Sequence, residues 1–143
     1  MDINELQKLI THGESNTVEF KRSTATLKSA SETLCAFLNC HGGHVLIGVN
    51  NDGQIVGQTI ADKTKLDISN TLKKFEPSAN IDTSYVSIGG ELFVIILSAK
   101  PEPNSIPYTF QGRAHTREQA DTHIMPQTKY QQLLLTRQTK PIL

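Results

Sequence analysis

The sequence predicts an α+β fold in which helices pack against one mixed, largely antiparallel sheet. Three observations support this class: two turn signals, "NDG" and "GG", that join strand patterns, several apolar stripes at helical spacing, and the mixing of those helices with antiparallel hairpins. The chain has 143 residues, a length typical of one domain. We therefore expect a single domain over residues 1–143.

The first part of the chain contains two predicted helices on either side of a short strand. Apolar residues at helical spacing predict a helix over residues 3–11, and alternation predicts a strand over residues 17–22. The stretch "SASETLCAFLNCHGG" carries an apolar stripe with period 3.6 and predicts the second helix. Ser29 and Glu32 have the spacing of a capping box at its start.

The rest of the chain continues with hairpins and two more helices. A strand over residues 44–50, the "NDG" turn and "QIVGQ" predict one hairpin, and a helix is expected over residues 62–75. Residues 82–99 predict a second hairpin whose return strand, "LFVIIL", is apolar on both faces and belongs in the middle of a sheet. "RAHTRE" predicts a short strand, and "MPQTKYQQLLLTRQ" predicts a closing helix.

The composition is that of an ordinary folded protein with balanced charge. Lys and Arg number 14, as do Asp and Glu, so the net charge is zero. No global attraction to polyanions follows, and any such site must come from local clustering. Cys35 and Cys40 are predicted to be free thiols. No apolar run approaches the ~20 residues of a membrane span, so we expect a cytoplasmic protein that does not bind membranes.

One short stretch concentrates opposite charges. "GESNTVEFKRS" places Glu14 and Glu19 five residues apart, with Lys21 and Arg22 directly after them. On the predicted strand Glu19 and Lys21 share one face. The pattern fits two structures: a solvated cross-strand ion pair, and an acidic groove beside a phosphate-binding edge.

Three motifs, taken in order, resemble a known family. "ESNTVEFKRS", "ETLCAFLNCHGGHVLIGVNNDGQIVG" and "IPYTFQGRAHTRE" are similar in order and spacing to the Schlafen/AlbA-type DNA-binding domain, also called divergent AAA. The motifs are Glu-x4-Glu-Phe-Lys, Ala-Phe-x-Asn-x-x-Gly-Gly and Ile-Gly-Val-x-x-x-Gly. The resemblance extends from about Glu14 to Arg137.

The resemblance implies a non-catalytic nucleic-acid-binding domain, as in bacterial transcriptional regulators. DNA and RNA both remain open as ligands, and pairing into a homodimer is also open. No cofactor is expected. In such a fold the cations at the end of the early strand and around the late strand lie near one another and contact phosphates. These four residues are Lys21, Arg22, Arg113 and Arg117.

The family also implies an alternative, a divalent-metal-dependent ribonuclease. In its nuclease members three acidic residues hold Mg²⁺ or Mn²⁺, and two of them correspond to Glu14 and Glu19. The third position falls on Asn51, a departure that weakens this alternative because Asn brings no negative charge. Asp52 is the nearest substitute. A third hypothesis is a protein-interaction module that recruits a partner through a sheet edge or the proline-rich loop.

Other chemistries find little support. No Gly-x4-Gly-Lys-Ser/Thr string occurs, and "NCHGGH" joins a helix to a strand rather than opening a helix, so a phosphate loop is not expected. Cys40, His41 and His44 are too few for a paired zinc-ligand pattern, so no metal site is predicted.

Overall fold

The computed structural model of the protein describes residues 1–139, with side chains through residue 137. The predicted strand "QIVGQ" does not form, since Ile55 and Gln58 make only isolated bridges, to Val49 and Phe93. The other elements follow the predicted order, with some added short strands. They are α1 (Ile3–His12), β1 (Val18–Lys21), α2 (Leu27–Leu38), β2 (Gly43–Ile47), α3 (Asp62–Leu72), β3 (Phe75–Glu76), β4 (Ile81–Gly89), β5 (Leu92–Ala99), β6 (Thr109–Phe110), β7 (His115–Glu118), β8 (Asp121–Ile124) and α4 (Gln127–Thr139).

The main sheet has four strands in the order β1-β2-β5-β4. β1 and β2 are parallel, whereas β2–β5 and β5–β4 are antiparallel. The apolar strand β5 lies between two neighbours, as its two-faced pattern predicted. Two further two-stranded sheets, β3–β6 and β7–β8, are antiparallel. The predicted α+β class and mixed sheet are confirmed.

Each face of the main sheet carries its own core. On one face α1 covers Val18 and Phe20 of β1. On the other face α2 and α3 pack over alternate residues of β2 and β5, including Val45 and Leu97. Because successive strand residues point to opposite faces, Glu19 and Lys21 lie on the α2 side.

Helix α2 begins earlier than its predicted capping box. Thr24–Thr26 form a short 3₁₀ turn, and the α-helix starts at Leu27. Ser29 therefore lies inside the first turn and cannot be the N-cap, so the predicted box with Glu32 was wrong. Its hydroxyl instead accepts a hydrogen bond of 2.8 Å from the Nζ of Lys21. This contact ties the end of β1 to α2.

Asn39 at the end of α2 holds the loop before β6 and strand β7 in place. Its Nδ2 donates to the carbonyl oxygens of Tyr108 (3.0 Å) and His115 (2.9 Å), and its Oδ1 accepts from the Tyr108 amide. One side chain thus satisfies three main-chain groups from two segments. The position of β7 beside α2 depends on it.

Gly43, the first residue of β2, lies close to both the segment before β1 and helix α2. A methyl group there would lie 2.6 Å from the Thr17 carbonyl oxygen and 2.9 Å from the Phe37 ring. Only glycine leaves room for this approach. Gly43, the second glycine of the motif, thereby lets the residue before β1 and helix α2 come close together.

Among the described residues no helix is both long and apolar enough to cross a membrane.

Replacing Asn39 by Ala should lower the free energy of unfolding by about 2–3 kcal/mol, because main-chain groups lose their partners in a region closed to water. Urea unfolding followed by circular dichroism measures this. Asn70→Ala, at an exposed position of α3, is the matched control and should change stability by less than about 0.5 kcal/mol. Equal stability of both variants would contradict the assigned role of Asn39.

Candidate functional site

A polar cleft opens between β1, the first half of α2 and the β7–β8 ribbon. Its volume is about 360 Å³. Its lining is mostly charged or hydroxylic, and it brings together residues from distant parts of the chain. The lining residues are Glu19, Ser29, Glu32, Thr33, Arg113, His115, Ala120, Asp121, Thr122 and Ile124.

Arg117 of β7 lies behind the lining of this cleft, in contact with the lining residues Glu19 and Thr122. Its side chain is 0% exposed. The guanidinium donates to the Ser15 carbonyl oxygen from Nε (3.2 Å) and Nη2 (2.8 Å), to Glu19 Oε1 (3.2 Å) and to Thr122 Oγ1 (2.9 Å). It also lies 5.1 Å from the centre of the Phe37 ring. These contacts compensate the cost of burying the charge.

The expectation that the early and late strands become neighbours is confirmed. Lys21 and Arg117 both contact Glu19, at 3.3 Å and 3.2 Å. The two cations are therefore engaged with one carboxylate, and Lys21 donates to Ser29 as well. The guanidinium of Arg117 does not face solvent and links β7 to Ser15 and Glu19.

Glu14 and Glu19 lie side by side. The pKa of Glu14 is raised to about 7. Burial is the largest cause, and the hydrogen bond to Glu19 and the negative charge of Glu19 add to it. Arg117 and Lys21 act in the opposite direction. Near neutral pH the Glu14 carboxyl therefore keeps its proton for part of the time.

Three exposed cations, here called the rim, either line the cleft or lie on segments next to its lining residues. Arg113 lines it and is exposed, and its side chain makes no hydrogen bond or ion pair within residues 1–137. Arg22, at the end of β1, is exposed and makes only a long 3.4 Å contact to Asn50. Lys28, exposed on the first turn of α2, precedes Ser29. Sequence reasoning missed Lys28 because nothing in its local pattern indicates a cleft.

A histidine–carboxylate pair forms one wall of the cleft. His115 Nε2 lies 3.6 Å from Glu32 Oε2. Burial lowers the pKa of His115, while Glu32 raises it. The Nδ1 atom of this ring is buried and finds no hydrogen-bond partner among the described residues. In the sequence His115 is one of several scattered histidines, and only the folding of β7 against α2 gives it a neighbour.

Asp52 does not join the Glu14–Glu19 pair. Its carboxylate accepts a hydrogen bond from the Gln54 amide within its own exposed turn. The adjacent Gly53 lies near Ile10 and Phe20 on the α1 side of the sheet. Within the described part of the chain no group of three or more acidic, His or Cys side chains could hold a metal ion. The described residues therefore do not complete the set of three acidic ligands that the family resemblance implies for a nuclease.

The stability of the protein should fall as pH rises from about 4.5 to about 7. Glu14 keeps its proton in the folded state over this range, whereas the unfolded chain releases it. Glu14→Gln, which mimics the protonated carboxyl, should match the wild type at pH 4 and be more stable at pH 8. Urea unfolding at both pH values measures the difference. Glu91→Gln on the exposed β4–β5 turn is the control and should show no such pH-dependent gain.

Comparison with known proteins relates the chain to others of the same fold. The model of the family described as Schlafen, AlbA_2 matches residues 14–126. Twenty-one chains of solved structures match. A comparison with curated proteins finds no match.

Two solved structures illustrate the similarity. The N-terminal domain of a RecG-related protein from Nitrosomonas europaea, whose name includes the words ATP-dependent DNA helicase, is 24% identical, with 76% of this chain and 79% of that chain covered and a TM-score of 0.57. The DIP2311 protein from Corynebacterium diphtheriae is 12% identical, with a TM-score of 0.60; the match covers 94% of this chain but 28% of that one. At these identities the two structures show a shared fold. With the family model matching most of its length, the chain belongs to the Schlafen AlbA_2 family.

Proposed function

We propose that this chain is a non-catalytic nucleic-acid-binding domain that receives a polynucleotide along the cleft between β1, α2 and β7. The observation that carries the proposal is the arrangement of charges. The rim cations are exposed, whereas Lys21 and Arg117 are already engaged with Glu19. The rim is therefore the surface offered to phosphates.

The rim cations supply the electrostatic part of binding. Arg22 and Arg113 present exposed guanidinium groups, which bind phosphate oxygens in a bidentate manner. Lys28 adds an exposed ammonium group from α2. Because the chain has no net charge, binding rests on these few contacts and should be weak and salt-sensitive.

The interior of the cleft suits the other groups of a nucleotide. Carboxylates of Glu32 and Asp121 would repel phosphates but accept hydrogen bonds from base amino groups and ribose hydroxyls. The hydroxyls of Thr33 and Thr122 lie 3.0 Å apart and serve as donors or acceptors. Phosphates on the rim and bases or sugars inside give each chemical group of the ligand a suitable place.

Family membership supports the same function. The RecG-related protein of similar fold carries a DNA helicase in its name, and a domain of this kind attached to such a protein would engage its nucleic acid. A role in transcriptional regulation is consistent with DNA binding by this cleft. Whether the ligand is DNA or RNA is decided by direct binding measurements.

Arg22→Ala and Arg113→Ala should each weaken binding to fluorescein-labelled 20-nucleotide single strands and duplexes. Each should also reduce the slope of log affinity against log salt by about 1, since one phosphate contact is lost. Fluorescence anisotropy between 50 and 200 mM salt measures both quantities. Lys8→Ala, an exposed change on α1, is the control and should leave affinity and slope unchanged. Wild-type affinity in the double variant Arg22→Ala/Arg113→Ala would refute the proposed rim.

One observation favours a second function, divalent-metal-dependent cleavage of RNA. The carboxyl groups of Glu14 and Glu19 lie in contact beside the cleft, and paired carboxylates are ligands that Mg²⁺ and Mn²⁺ prefer. Asp52, the candidate third ligand, is engaged in its own turn. The described residues thus supply two of the three acidic ligands that the resemblance implies.

The two functions separate in a cleavage assay. If the domain is non-catalytic, tRNA incubated with the protein and Mn²⁺ stays intact while it is bound. Cleavage that is abolished both by a chelator and by Glu14→Ala would instead establish the ribonuclease. Arg22→Ala serves as the matched variant, since it should reduce binding without touching the carboxyl pair.

A further inference from the structure

We propose that the open edge of β4 pairs antiparallel with β4 of a second copy of this chain, so that two sheets join into one. β4 is the last strand in the order β1-β2-β5-β4, and no described strand pairs with its outer side. Its outward-facing main-chain groups have no partner in another described segment. An edge of this kind is a template for another strand.

The edge lacks the features that usually prevent such pairing. β4 runs for nine residues, Ile81–Gly89, without a proline or a lysine. Its one charged residue, Asp82, is paired with Lys100 at 2.8 Å. The register irregularity lies between Ser87 and Gly89, next to the turn, and leaves the rest of the strand regular. Natural edge strands are instead shortened, bulged or charged.

The opposite edge of the same sheet is covered. Arg117 donates hydrogen bonds to the carbonyl oxygens of Ser15 and Val18, the second at 3.3 Å. The Ser15 amide donates to the Val18 carbonyl oxygen, which closes the loop onto β1. The contrast between the two edges of the described sheet singles out β4.

Exposed apolar side chains flank β4 on both faces. Tyr85 is 36% exposed and lies beneath Lys65 of α3, with 5.7 Å from Nζ to the ring centre. Leu66, the next residue of α3, and Leu92 at the start of β5 are also exposed. On the α1 face, exposed Ile3 lines a shallow pocket with residues 87–88 of β4. An apolar surface beside an open edge indicates an interface.

A second copy fits this edge because the edge is complementary to itself. With the twofold axis at Ser84, the middle of the regular segment, Tyr85 stands opposite Thr83 and Asp82 opposite Val86. No like charges meet, and the regular segments have equal length. The exposed apolar side chains of α1 and α3 would then face the same side chains of the second copy. A C2 interface requires this self-complementarity.

The pairing leaves the nucleic-acid cleft free. Glu19 and the cleft lie at the β1 edge, and β4 is at the far end of the four-strand order. The inference therefore goes beyond the proposed function, and each fails independently. A monomeric variant should keep its affinity per chain for a short oligonucleotide.

Light scattering during size-exclusion chromatography tests the dimer. The wild type should have twice the mass of one chain. Tyr85→Glu should have the mass of one chain, because two carboxylates would meet as diagonal neighbours about 7–8 Å apart across the axis. Within one chain that Glu is attracted to Lys65, so the fold is retained, as circular dichroism should show. Leu135→Glu, exposed on α4, is the control and should remain dimeric.

Covalent trapping locates the contact. Ser84→Cys places two thiols directly opposite each other, with Cβ atoms about 4.5–5.5 Å apart, so mild oxidation should give a covalent dimer. The wild type, with Cys35 buried and Cys40 half-buried, should give none. A monomeric wild type, a dimeric Tyr85→Glu, the absence of the crosslink, or a crosslink to a chain of different sequence would each overturn the proposal.

Discussion

The buried guanidinium of Arg117 is the interaction on which the site depends. It joins β7 to the loop and strand of β1 through Ser15, Val18 and Glu19, across 98 residues of sequence in the last case. The cost of removing its charge from water is offset by the surrounding hydrogen-bond acceptors and by the face of the Phe37 ring. Removing one partner of such a buried pair costs about 3–5 kcal/mol, because the other charge is left without compensation. The β1 edge, the cleft and the ribbon of β7 and β8 therefore form one unit.

This unit separates cations by role. Lys21 and Arg117 neutralise Glu19, whereas Arg22 and Arg113 stay exposed. A protein with no net charge can present a phosphate-binding rim in this way, because the local distribution of charge decides binding at distances below the Debye length. In the proposed function, the carboxylates within the cleft would add selectivity, since they repel phosphate and accept hydrogen bonds.

The recurring motif residues serve mainly as the frame of this site. Asn39 positions the segment before β6 and the start of β7, and Gly43 lets β1 and α2 approach closely. Phe37 places its ring against Arg117. The motif Ala-Phe-x-Asn-x-x-Gly-Gly thus contributes by fixing main-chain segments, and the exposed Arg22 and Arg113 lie in the other two motif stretches. The open β4 edge, far from this frame, is free to serve assembly.

The sequence alone determined the order and type of most elements, the mixed sheet and the central place of β5. Those features follow from periodicities of 3.6 and 2 and from glycine turns, which act over a few residues. Local pattern failed at the start of α2, and it could not find β3 and β6, which have two residues each, too few for a period. For the site, the sequence named Glu14, Glu19 and the basic residues. Tertiary structure decided that Arg117 is buried, that Ser29 receives Lys21, and that His115 meets Glu32. Partners far apart in the chain are chosen by packing and desolvation, which no local pattern encodes.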